Sequence, residues 1–170
     1  MSRAGITLRD AAPEDVRKLA ELHVRAFDQA HGRGPDVALR ERQWHGKLRS
    51  PEALVFCILL ERSDRILIGF ASGERHRSDE SSAFRGVLDK IYILREYHRR
   101  GLGRWLLCTA AHRFLEQGID SKLLFGDAKS PSNAFYEAMG GERLYSSNGE
   151  FHGSYGWQDL RQLRALCRDD

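Results

Sequence analysis

The feature that most constrains this chain is the run from Val87 to Gly118, which joins a β-branched, aromatic segment to an amphipathic one through a glycine-containing, arginine-rich turn. Val87 to Leu94 has the composition of a buried or half-buried strand. From Leu106 onward, Leu107, Ala110, Ala111, Phe114 and Leu115 fall at the spacing of one helix face, and Gly118 follows where a helix commonly ends. Between the two lies His98-Arg99-Arg100-Gly101-Leu102-Gly103-Arg104. A turn that opens a helix leaves backbone N–H groups unpaired at the positive end of the helix dipole, a geometry that binds phosphate. Arg99, Arg100 and Arg104 add charge suited to phosphate oxygens. The same run is also compatible with a plain strand-to-helix turn whose arginines sit on a solvated face.

Two other phosphate cradles are excluded. A dinucleotide fingerprint needs a third glycine where this chain has Leu106, and a P-loop needs a Gly-Lys-Ser/Thr run that is absent. Formal charge is +3, from 27 basic and 24 acidic residues, too small an excess to argue for nucleic acid. A polyanionic small molecule accounts for the local basic cluster more economically.

With 170 residues, 41% hydrophobic and 30% charged, the chain reads as a single domain over 1–170. Its longest apolar run, Ala53 to Leu60, is too short to span a bilayer, and the first residues lack the apolar core of a signal peptide. Cys57, Cys108 and Cys167 are odd in number, widely spaced and without metal-ligand spacing, so reduced buried thiols and a cytoplasmic setting are expected, with no metal.

In order, the pattern predicts a strand at Ile6 to Arg9, a helix from about Pro13 to Phe27, a polar connection to Pro35 and a second helix over Val37 to Leu48. His23 and Trp44 read as packing residues, with Trp44 and His31 also able to face a substrate. Strands at Leu54 to Leu60 and Ile66 to Ser72 form a hairpin, and a polar connection, Glu74 to Gly86, leads to the central strand. After the main helix come a strand over Lys122 to Asp127 and a helix capped by Ser130 with Pro131 at its first position, running to Met139. A closing hairpin (Glu142 to Ser146, Ser154 to Leu160) and a helical tail, Arg161 to Cys167, end the chain. One crossover helix between strands four and five argues for an α/β sheet that is only partly parallel.

The turn His98-Arg99-Arg100-Gly101-Leu102-Gly103 resembles the Arg/Gln-x-x-Gly-x-Gly/Ala motif of the GCN5-related N-acetyltransferases (GNAT), departing at its first position, where His98 stands. Phe135-Tyr136-Glu137-Ala138-Met139-Gly140 is similar to the family's Phe-Tyr-Glu-x-Leu-Gly helix. The resemblance implies the GNAT acyl-CoA N-acyltransferase fold: a mixed, mostly antiparallel central sheet with splayed strands 4 and 5, flanked by helices. It implies acetyl-CoA as acyl donor and an amine, on a small molecule or a protein, as acceptor. It implies pyrophosphate on the backbone of Arg99, Arg100, Gly101, Leu102, Gly103 and Arg104, with His98 beside it, and pantetheine along Ile91, Tyr92 and Ile93. An N–H of that strand, at Ile93, polarises the thioester carbonyl. Tyr136 protonates the leaving thiolate. Family members are often dimers, so a homodimer is a further expectation.

Direct attack needs a neutral amine, hence a base. Many family members carry a Glu where this chain has Val87. Asp89, two residues on and on the same face of a strand, is the leading candidate, with Glu74 and His76 in reserve. The family often has an Asn seven residues before the tyrosine; Lys129 occupies that place, and Asn133 is the nearest substitute. Three other readings stay open. They are a non-catalytic acyl-CoA-binding module, an acetyltransferase for protein N-termini or lysines, and, least supported, nucleic-acid binding.

Overall fold

A computed structural model describes residues 2–50, 52–77 and 83–167. Eight strands form one sheet: β1 (Ser2–Arg3), β2 (Ile6–Asp10), β3 (Phe56–Arg62), β4 (Leu67–Arg75), β5 (Gly86–Ile93), β6 (Lys122–Leu124), β7 (Glu142–Tyr145) and β8 (Phe151–Trp157). Their spatial order is β1-β2-β3-β4-β5-β6-β8-β7, and β5–β6 is the parallel pair. The helices are α1 (Val16–His31), α2 (Val37–Arg49), α3 (Leu102–Glu116), α4 (Asn133–Ala138) and α5 (Leu160–Ala165). The mixed, mostly antiparallel α/β architecture expected from the element order is the one observed.

Each sheet face is covered by its own cluster. Leu19, Leu22 and Ala26 of α1 and Trp44 of α2 pack on Leu59 and Phe70. On the other face, Leu106, Leu107, Ala110 and Phe114 of α3 pack on Ile58, Ile68 and Leu88, joined by Leu160 and Leu163 of α5. His23 and Trp44 are packing residues, as expected: His23 Nδ1 accepts the Trp44 indole N–H at 3.1 Å. Burial, with the nearby Arg40 charge, pushes the His23 pKa down to about 3, so the ring is neutral.

The elements differ from the sequence expectation mainly at their ends. α1 runs on to His31 and stops only at Gly32, whose φ of 80° suits glycine. β6 is three residues long, not six. α4 starts at Asn133, because residues 130–132 form a turn in which Ser130 Oγ accepts from the Ser132 N–H, so Pro131 precedes the helix. β1 was not foreseen. Of the 74–86 connection, residues 78–82 lie outside the described residues.

The cysteine expectation is corrected. Cys108 on α3 and Cys167 after α5 form a disulfide, while Cys57 is free and buried. The pairing depends on α5 lying along α3, a tertiary contact that a separation of 59 residues does not reveal. The argument from reduced thiols to a cytoplasmic setting loses those two cysteines. Among the described residues no helix is long and apolar enough to cross a membrane.

Lys122, at the start of β6, is fully buried, and its Nζ has no hydrogen-bond partner among the described residues. It sits 3.2 Å from the centroid of the Trp157 ring. Burial pushes its pKa well down, so folding opposes its protonation. Between that lowered value and the ordinary lysine value of about 10.4, the unfolded chain holds the extra proton, and stability rises with pH. Lys122→Met is expected to raise the unfolding free energy by about 2 kcal/mol near neutral pH. The gain should shrink as pH approaches about 10, where the unfolded lysine also loses its proton. Urea denaturation of both proteins across that range checks this; equal stability at neutral pH would mean the ammonium is solvated after all.

Candidate active site

The strands around the site part early. β5 and β6 pair only at Gly86↔Lys122 and Val87↔Leu123, after which β5 continues to Ile93 with no strand on that side among the described residues. On its other side β5 stays paired with β4 to the end, through Ala71↔Ile91, Phe70↔Tyr92 and Gly69↔Ile93. The backbone of Ile91–Ile93 therefore presents an edge without a paired strand to a cleft of about 510 Å³, larger than two other hollows on the described surface (about 320 and 390 Å³). Its walls include Leu88 to Ile93 of β5, Leu124 at the end of β6, Phe125 to Asp127 after it, Lys129 to Asn133, and Tyr136.

A bulge sets what β5 shows to each side. The β4 register passes from Ser72↔Lys90 to Gly73↔Leu88, so Asp89 is the extra residue. Leu88, Ile91 and Ile93 accordingly share the α3 face, which strict alternation would forbid, while Tyr92 joins the α1 side. Asp89 is also on that side, where Lys47 of α2 reaches it at 2.8 Å and Lys90 at 2.9 Å. Burial raises the Asp89 pKa, but hydrogen bonds from both ammonium groups outweigh it and hold the carboxyl below its usual range. Lys47 also pairs with Glu74, at 2.5 Å. Sequence reasoning missed Lys47, because only the packing of α2 brings it to β5. His76 does not line the cleft, and its backbone N–H donates to the Arg85 carbonyl at 2.8 Å.

The glycine turn has the geometry of an anion cradle. Arg99 and Gly101 have φ of 63° and 76°, and the first helical bond of α3 runs from Trp105 N–H to Gly101 O. The N–H groups of Leu102 and Gly103 therefore have no partner within the helix. A side chain at Gly103 would begin 3.4 Å from the Phe135 ring, in ordinary van der Waals contact with α4. Two of the three arginines expected around the phosphate are engaged elsewhere. Arg100 stacks on Tyr97 and donates to the Glu96 carbonyl, and Arg104 donates to the Leu166 carbonyl. The ring of His98 turns back instead: its Nε2–H donates to the Ile93 carbonyl at 2.8 Å, tying the turn to the end of β5.

Tyr136 lies in the cleft wall, buried against the rings of Phe135, Tyr155 and Trp157 at 5.4, 5.6 and 6.3 Å. Burial raises its pKa, so the phenol keeps its proton. Asn133, three residues earlier, donates its amide N–H groups to the Asp127 and Ala128 carbonyls, and its Oδ1 is buried without a partner. Lys129 also lines the cleft.

Comparison with known proteins places this arrangement. The Bacillus subtilis protein YuaI, an uncharacterized N-acetyltransferase, is 30% identical over 171 residues, covering 95% of this chain and 98% of its own. Among solved structures, the PaiA N-acetyltransferase of Thermoplasma acidophilum in complex with coenzyme A superposes with a TM-score of 0.70 at 18% identity, covering 92% of this chain and 98% of that one. An N-acetyltransferase from Staphylococcus aureus Mu50 gives 0.71 at 15% identity, covering 92% and 99%. The profile of the Acetyltransferase (GNAT) family matches residues 16–141, and the chain belongs to that family of acyltransferases.

Proposed function

We propose that this protein transfers an acetyl group from acetyl-CoA to a primary amine by direct attack in a ternary complex. The observation that carries the reading is the edge of Ile91–Ile93, left without a paired strand, opening on the same cleft as Tyr136. The residues fit the donor. Bound acetyl-CoA supplies the activated acyl group; the chain supplies main-chain donors and acceptors along β5 for an amide-bearing arm. The amides of Leu102 and Gly103 at the start of α3 receive the pyrophosphate, and Asn133 Oδ1, without a partner among the described residues, accepts a further N–H. Two solved neighbours hold coenzyme A or acetyl-CoA, the PaiA protein and yncA of Salmonella typhimurium.

In this reading an N–H of β5, at Ile93, stabilises the oxyanion as the amine attacks, and Tyr136 Oη gives its proton to the departing sulfur. The attacking amine loses a proton toward Asp89. Two lysines leave that carboxylate weakly basic, so water carries the proton on to solvent rather than leaving it stored there.

Calorimetry tests the donor half. The wild type is expected to bind acetyl-CoA at micromolar concentration. Gly103→Pro removes one cradle N–H at a first-turn position that tolerates proline, and is expected to weaken binding at least about tenfold, roughly the 1.4 kcal/mol of one charge-assisted hydrogen bond. Circular dichroism confirms that the variant folds. A wild type that fails to bind at high micromolar concentration would refute the proposal.

A further inference from the structure

The cleft carries an unexplained feature. Phe125, the residue after β6, is 68% exposed, the most exposed of the large hydrophobic side chains among the described residues, yet it stands in the cleft wall. Leu124 beside it is buried in the α3 cluster. Tyr92 and His31 line the same cleft from β5 and α1, their rings edge to face with centroids 6.1 Å apart and the Tyr92 hydroxyl 3.4 Å from His31 Nε2. A phenyl ring kept in water costs hydrophobic free energy that a flat apolar ligand would recover.

The charges point the same way. The fixed charges of the wall are the cations Lys90, Arg95 and Lys129 and the carboxylates Asp89 and Asp127. Asp89 already holds two ammonium groups, and Asp127 Oδ1 accepts the Lys129 backbone N–H at 2.8 Å. A polycation would therefore meet a net positive wall in which Asp89 is already paired with cations.

We propose that the acceptor is a primary monoamine carried on a flat, apolar body, and that Phe125 is the residue that selects it. The inference rests on the acetyl-transfer reading and names the acceptor class for the same site. The body lies between the Phe125 and Tyr92 rings, and the amine reaches past them to the free edge of β5.

The test is steady-state acetylation by the whole protein with 2-phenylethylamine, n-butylamine and spermidine, with acetyl-CoA affinity measured in parallel. The expected result is a kcat/KM for 2-phenylethylamine at least about tenfold above the other two. Phe125→Ala is expected to raise the KM for 2-phenylethylamine about tenfold with little change in kcat. It should leave n-butylamine and acetyl-CoA binding unmoved, and Phe125→Trp should keep the wild-type preference. A preference for spermidine, or a Phe125→Ala protein with unchanged KM, would overturn the proposal. So would wild type that binds acetyl-CoA but acetylates none of the three, which leaves the donor site standing. Failure to bind acetyl-CoA would instead remove the acetyl-transfer reading, and this proposal with it.

Discussion

Tyr136→Phe is expected to lower kcat about a hundredfold, within the range for loss of a positioned general acid, while acetyl-CoA affinity barely changes. A hundredfold corresponds to about 2.7 kcal/mol of lost transition-state stabilisation. The ring stays, so its packing against Phe135, Tyr155 and Trp157 is preserved, and only the hydroxyl leaves the cleft. Burial raises the phenol's pKa, which guarantees the proton at working pH but makes the group a weaker acid. The same surroundings also destabilise a departing thiolate, so the two proton affinities move together. Single-turnover kinetics beside calorimetry separates the chemical step from binding. A variant with wild-type turnover would take Tyr136 out of the mechanism.

The second large effect concerns stability. Breaking the Cys108–Cys167 bond opens a loop of 59 residues, and the chain-entropy estimate for such a loop is about 4 kcal/mol at 25 °C. Most of that acts on the unfolded chain. The native tail remains seated by Leu160 and Leu163, both essentially inaccessible to solvent. The reduced protein should therefore keep its native circular dichroism while its denaturation midpoint falls. Cys108→Ser, Cys167→Ser and the double variant should all show the same loss, because each removes the same crosslink. If reductant and all three substitutions leave the midpoint unchanged, the crosslink does not constrain the unfolded ensemble.

Local pattern carried much of the fold into the sequence. The strand-turn-helix unit from Val87 to Gly118, the β3–β4 hairpin and the α2 boundaries could be read because composition and turn residues act over a few positions. What escaped depends on contacts between distant segments. The bulge at Asp89 appears only when β4 is laid beside β5, and it determines which side chains β5 shows to each face. The Lys47–Asp89 pair joins residues of α2 and β5, and no periodicity encodes it. The arginines of the turn looked like phosphate ligands by proximity in sequence, but Arg100 has an aromatic neighbour and Arg104 a carbonyl from the chain's end. Phe125 was hidden because an apolar residue after Leu123-Leu124 reads as more strand; β6 stops one residue earlier.

The parting of β5 from β6 is inscribed in the path of the main chain, with two rungs followed by divergence. Such a design separates what evolution must keep from what it can spend. The donor groove asks for amides and a gap, which many side-chain alphabets can build. That accounts for neighbours with 15–18% identity following this chain over 92% of its length. The rim, by contrast, is free to be rewritten residue by residue without endangering the scaffold. Lineages of this protein should diverge first at the rim, changing clientele while inheriting the groove.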